Sequence, residues 1–219
     1  VDESGLKLPL LVHAPGREFH FLLDMYVDSL SLVLDSPEVT PLGPYPTEVG
    51  SLFYVTGVSQ HPERKHPLLN RLATQMKSKA GAPGEIDQRL FLTRHNSTHG
   101  RFIVNFDEIL PFLQQRDYKI VEPSVMSIPE QVRLFSGASN LCGITGAAMT
   151  NSLFAPTEAR IGHISPDYMN DLFYPDLESV LRRSTFNSLT CRRDGPVALR
   201  TPLHVDADRL REWLLLLHA

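Results

Sequence analysis

The nine residues Gly143-Ile-Thr-Gly-Ala-Ala-Met-Thr-Asn151 decide how this chain is read. An apolar run from Leu141 to Ile144 enters Gly146. The small residues Ala147 and Ala148 follow, and Thr150 and Asn151 fall in the first turn of the next helical pattern. A strand that turns through small residues into a helix brings free backbone N–H groups and the positive end of the helix dipole to one place. That combination favours an anion, so the turn reads as a diphosphate cradle. The same composition also suits a turn that lets a helix pack closely on a sheet.

Outward from this turn, strand and helix patterns alternate. Beyond Ala80-Gly-Ala-Pro-Gly84, the best linker in the chain, strands are expected at 89–94, 118–122, 140–144, 159–164 and 186–191. Helices are expected at 105–116, 128–138, 147–154, 169–183 and 206–217. This is the pattern of a doubly wound α/β domain over residues 85–219. Residues 1–84 form a shorter α/β part: a strand at 8–13, a helix at 19–34, four prolines between 37 and 46 that interrupt regular structure, a strand at 52–58 and a helix at 66–79.

Composition narrows the function. A chain of 219 residues, 42% hydrophobic, can bury a substantial core. Its net charge of −4, with 21 basic residues and no dense basic run, argues against a nucleic-acid surface. Two cysteines, Cys142 and Cys191, are too few for a disulfide framework and lack metal-ligand spacing, so buried thiols are expected. The apolar run Leu8–Val12 is short, interrupted by Pro9 and without a basic flank, and so does not read as a signal peptide. No window approaches the ~18 apolar residues of a membrane span. His95 and His99 stand four apart, but in a loop with no acidic third ligand, and metal binding is not expected.

Several elements resemble glycosyltransferase family 61. They are Thr93-Arg94, then Arg101 with Asn105 and Glu108, then Ser127 with Gln131, Phe135 and Ala138, and last Gly146-Ala-Ala-Met-Thr-Asn-Ser-Leu-Phe-Ala-Pro156. Where many members carry histidine before Gly-Ala, this chain has Thr145. The resemblance, closest to the bacterial branch, implies a GT-B-like architecture: a C-terminal Rossmann-type nucleotide-sugar domain, and an acceptor-side N-terminal part whose completeness residues 1–84 leave open. It implies an inverting transfer of a sugar from a nucleotide diphosphate to a glycan or related hydroxyl, in surface or capsular polysaccharide synthesis. No metal or other cofactor is implied. The location implied is the cytoplasm or the inner-membrane periphery. The alternative is a non-catalytic nucleotide- or glycan-binding module.

Such a donor asks for compensation of its phosphate charge and for a base. Arg94, at the carboxyl end of its strand, and Arg101, in the adjacent loop, suit the first because a guanidinium makes bidentate, charge-assisted bonds to phosphate oxygens. Thr145, Gly146, Ala147, Thr150 and Asn151 complete the expected donor site. For the base, Phe19-His-Phe-Leu-Leu-Asp24 resembles the family's histidine and acidic element; Asp24 and His20 are four residues apart and share a helical face. Asn105 and Glu108 also carry the spacing of a capping box.

Overall fold

The computed structural model describes residues 10–13, 20–35, 37–42, 45–46, 48, 65–93, 101–169, 172–183, 185–195 and 201–218. Two short strands, β1 (Leu10–His13) and β2 (Val39–Leu42), pair in parallel on either side of α1 (His20–Ser31). The proline-rich stretch was not expected to hold a strand. Among the described residues β2 pairs with β1 alone, and an edge strand tolerates Pro41 because it can spare an N–H. The strand expected at 52–58 lies outside the described residues.

Helix α2 (Leu68–Ala80) leads to β3 (Gln88–Leu92), after which come α3 (Phe106–Gln114), β4 (Tyr118–Val121), α4 (Ile128–Ser136) and β5 (Ala138–Ile144). A 3-10 helix (Ala147–Phe154) and β6 (Arg160–Pro166) follow. The remaining elements are α5 (Phe173–Val180), β7 (Phe186–Arg193), β8 (Leu203–His204) and α6 (Ala207–His218). The sheet runs β4-β3-β5-β6-β7-β8, parallel except for β8, which is antiparallel to β7 at the edge.

Alternation along the strands divides the core into two layers. Leu90, Leu92, Leu141 and Ile161 face one cluster, which also holds Met76 of α2, Val132 and Phe135 of α4, and Met149. Phe91, Cys142 and Ile164 face the other, with Ile109 of α3 and Leu210, Trp213 and Leu214 of α6. Strands covered on both faces must be apolar on both, which is why β3 and β5 carry runs rather than an alternating pattern. Although α2 precedes the 80–84 linker in sequence, its buried Ala73, Met76 and Ala80 belong to the first of these clusters. Leu32, just beyond α1, is buried in the same cluster.

Close backbone approach fixes two glycines. A Cβ on Gly143 would stand 2.8 Å from the Cβ and carbonyl oxygen of Leu92, and one on Gly162 would stand 2.4 Å from Trp213. Both cysteines are free and buried. Burial pushes the Cys142 thiol up to about 12 and Cys191 to about 11, so neither is a thiolate at neutral pH.

Candidate functional site

The sheet order places a topological switch between β3 and β5. From β3 the chain crosses through α3 to β4 on one side, then returns through α4 to β5 on the other. Helix α3 packs in one core layer and α4 in the other, the arrangement in which open α/β sheets bind ligands at the carboxyl ends of the strands flanking the switch. Thr93 closes β3, its N–H donating to the Val121 carbonyl at 3.0 Å, and Thr145-Gly146 closes β5. The turn singled out in the sequence therefore stands where open α/β sheets bind ligands.

Its local form differs from expectation. Residues 147–154 are a 3-10 helix rather than an α-helix: Met149 N–H donates to the Gly146 carbonyl at 2.8 Å and Ala155 N–H to that of Ser152 at 3.0 Å. Tighter winding puts each partner three residues back. Thr150 and Asn151 both bond within the turn, and Asn151 is buried. The Thr150 hydroxyl donates to the Ala147 carbonyl at 2.6 Å, and the Asn151 amide donates to Ala148 at 3.1 Å and to Gln131 Oε1 at 2.9 Å. Thr145 is buried, with Oγ1 3.2 Å from the Ile164 carbonyl and 2.6 Å from Ser165 Oγ.

Gly146 behaves differently from Gly143. Its backbone is extended, with φ 166 and ψ 177, and a Cβ there would meet Nη2 of Arg101 at 3.4 Å and the Ile144 carbonyl at 3.9 Å. Neither packing nor backbone conformation requires glycine at this position. What lies over it is a guanidinium. Arg101 is held by the segment 102–104, whose backbone pairs with Leu203 at the far side of the sheet, and its Nη1 contacts Met169 Sδ at 2.9 Å. The structure thus joins Arg101, Thr145, Gly146 and Ala147 at one edge. Arg94 lies outside the described residues, as do His95 and His99.

A buried ion pair anchors the far end of the motif. Glu178 of α5 accepts from Ser152 Oγ at 2.6 Å and pairs with Arg183 Nε at 2.6 Å, both side chains being at most 2% exposed. Arg183 also donates to the carbonyls of Ser152, Ala155 and Pro156, at and just beyond the end of the 3-10 helix. Burial pushes the Glu178 carboxyl up, against the pull of Arg183 and Ser152. The family residues Asn151 to Pro156 are therefore held rigidly under the turn. Neither Glu178 nor Arg183 stood out in the sequence, because only folding brings them to residue 152.

Asn105 and Glu108 depart from the capping-box expectation. The Asn105 amide donates to Glu108 Oε2 at 3.0 Å and to the Val205 carbonyl at 2.8 Å, while Asn105 Oδ1 accepts from Val205 N–H at 3.0 Å. The side chain mimics a strand partner and ties the start of α3 to the segment before α6. Ser127 and Glu130 supply the capping interaction instead: Glu130 Oε2 accepts from Ser127 N–H at 2.8 Å and from its hydroxyl at 2.7 Å, which holds the carboxyl below its ordinary range.

Beside Gly146 opens a cavity of about 180 Å³ lined by Thr145, His163, Ser165, Tyr174, Phe186 and Ser188, with Met169 also in its wall. His163, on β6, is 1% exposed, and neither ring nitrogen has a hydrogen-bond partner among the described residues. Its ring centre lies 4.6 Å from Tyr174 and 5.2 Å from Phe186. Burial lowers its pKa to about 3, so the ring is neutral. The sequence reading missed His163; a lone histidine inside an apolar strand was the available signal. A larger cavity, about 590 Å³ and lined by Asp87, Arg89, Asp117, Lys119, Glu158 and Arg160, opens at the amino ends of the strands, the edge opposite the switch point.

Asp24 is exposed on α1, and His20 opens the same helix, its side chain outside the described residues. Among the described residues no three His, Cys, Asp or Glu side chains converge as a metal site, and no helix is long and apolar enough to cross a membrane. No curated protein matches the chain. The glycosyltransferase 61 family model matches residues 19–162, more than half of the chain, spanning α1, the switch point, the Gly146 turn and the first half of the His163 strand. This chain belongs to glycosyltransferase family 61.

Proposed function

We propose that the chain is an inverting glycosyltransferase of GT-B type, with a donor-binding C-terminal part and an acceptor-side N-terminal part. In this reading it moves a sugar from a nucleotide diphosphate to a glycan or related hydroxyl, in the cytoplasm or at the inner-membrane periphery, for surface or capsular polysaccharide. The observation that carries the reading is the Arg101 guanidinium lying over Gly146 at the carboxyl end of β5, where no packing demand explains the glycine. A phosphate entering there meets a planar cation and backbone N–H groups without a side chain in the way.

The chemistry is a single displacement. The acceptor oxygen forms a bond to the anomeric carbon as the bond to the diphosphate breaks, its electron pair going to the leaving oxygen. Arg101, together with Arg94, compensates that charge, and no metal is assigned the task. Asp24 or His20 takes the proton from the acceptor hydroxyl.

A panel of UDP-, GDP- and CMP-sugars, followed for nucleotide release, tests the activity. Arg101→Ala should weaken diphosphate binding by about 1.5 to 3 kcal/mol, the scale of a charge-assisted hydrogen bond. Gly146→Val should fold yet lose that binding by steric exclusion. Asp24→Asn should keep donor affinity and lower turnover by roughly 10²-fold. Diphosphate binding without turnover of any donor would instead favour the binding-module reading. Undiminished affinity in both Arg101→Ala and Gly146→Val would remove the cradle.

A further inference from the structure

We infer that the cavity floored by His163 is a subsite for the uncharged heterocyclic base of the donor, and that His163 and the hydroxyls of Ser165 and Ser188 determine which base is accepted. The inference rests on the proposed donor site and extends it to a residue that the recognised motifs do not contain.

Three observations lead to it. The cavity shares Thr145 with the Gly146 turn, and Met169, in its wall, is the residue that Arg101 contacts. A molecule with its phosphates under Arg101 therefore has this cavity as its next compartment. Among the described residues, no Lys, Arg, Asp or Glu lines it. A phosphate gains nothing there, whereas a neutral ring does. Tyr174 and Phe186 supply aromatic surface, and Thr145, Ser165 and Ser188 form a line of hydroxyls across β5, β6 and β7, with Thr145 Oγ1 2.6 Å from Ser165 Oγ and Ser188 Oγ 3.3 Å from it. Flat apolar walls with hydroxyls along one side suit a planar ring carrying N–H and C=O groups at its rim.

His163 supplies the third observation. A neutral imidazole offers one N–H donor and one nitrogen acceptor, and here both are buried and without a partner among the described residues. Buried polar groups are almost always hydrogen-bonded, so such a pair marks a place completed by something that enters. Neither nitrogen is open to solvent, so a base reaches the ring only when Tyr174 or Phe186 gives way, or reaches it through a water carried in with the base. A site that leaves donor and acceptor unpaired until the matching partner arrives discriminates strongly against rings that cannot pair with it.

The test uses the full chain and calorimetric titration with UDP, GDP, TDP and inorganic pyrophosphate. His163→Phe keeps a ring between Tyr174 and Phe186 but removes both nitrogens; Ser188→Tyr fills the cavity from β7. In the parent, one or two of the nucleotides should bind at least tenfold tighter than pyrophosphate. Both variants should bind pyrophosphate like the parent and lose at least tenfold in affinity for the preferred nucleotide, with the preference among bases reduced. Should His163→Phe fail to fold, Ser188→Tyr carries the same comparison. Parental affinity and base preference in the folded variants would overturn the subsite while leaving the donor reading intact. A parent that binds neither the nucleotides nor pyrophosphate would overturn the donor reading itself, and the subsite with it.

Discussion

Lowering the pH should destabilise this protein through His163, by an amount the structure allows to be worked out. The folded ring has its pKa lowered to about 3 by burial, and an unfolded histidine titrates near 6.5. Because the folded value is the lower one, the unfolded chain takes up a proton as pH falls below about 6.5 while the folded chain does not. Stability is therefore fully present above that value and is lost progressively down to about pH 3. At pH 5 the difference is RT ln(1 + 10^1.5), about 2 kcal/mol, against a total stability on the order of 5 to 15 kcal/mol. His163→Phe removes the titrating group while keeping a planar ring between Tyr174 and Phe186. Urea unfolding of both proteins at pH 7.5 and pH 5 isolates its contribution, because the shifted titrations of Glu178 and His218 are common to the two and cancel. The parent should lose about 2 kcal/mol more than the variant on acidification. Parallel losses would refute the reasoning, since they would mean that His163 is hydrated or hydrogen-bonded in the folded state and titrates normally.

Two further predictions concern the frame around the site. Arg183→Ala leaves the Glu178 carboxylate buried without its partner and removes the guanidinium's bonds to the carbonyls of Ser152, Ala155 and Pro156; it should cost about 3 to 5 kcal/mol, and a loss under about 1 kcal/mol in denaturant unfolding would show that the pair does not hold the turn. Gly162→Ala drives a methyl to 2.4 Å from the Trp213 ring, so α6 must shift, at about 1 to 3 kcal/mol. Trp213 is the single tryptophan, and its emission should move to longer wavelength in the folded variant; an unchanged spectrum and midpoint would mean that the helix was not seated against β6.

Much of the fold was legible in the chain because the relevant signals are local. Apolar runs such as Leu90 to Leu92 and Leu141 to Cys142, separated by helical periodicity and linked by glycine and proline, mark strands buried on both faces wherever they end up. The Gly146 turn after β5 and the buried thiols follow from the same short-range chemistry. Arg101 was also legible as a candidate, through its loop and its spacing to Asn105.

Tertiary structure decided everything that depends on distance along the chain. Whether Gly143 or Gly146 serves packing turns on the position of Leu92, some fifty residues away, and the local sequence around the two glycines does not separate them. The anchoring of residues 152–156 depends on Arg183 and Glu178, and the role of Asn105 depends on Val205. His163 looks in sequence like one polar residue in an apolar strand. Its neutrality and unpaired nitrogens exist only because α5 and β7 close over it, and burial, not residue type, is what sets the protonation state of an imidazole.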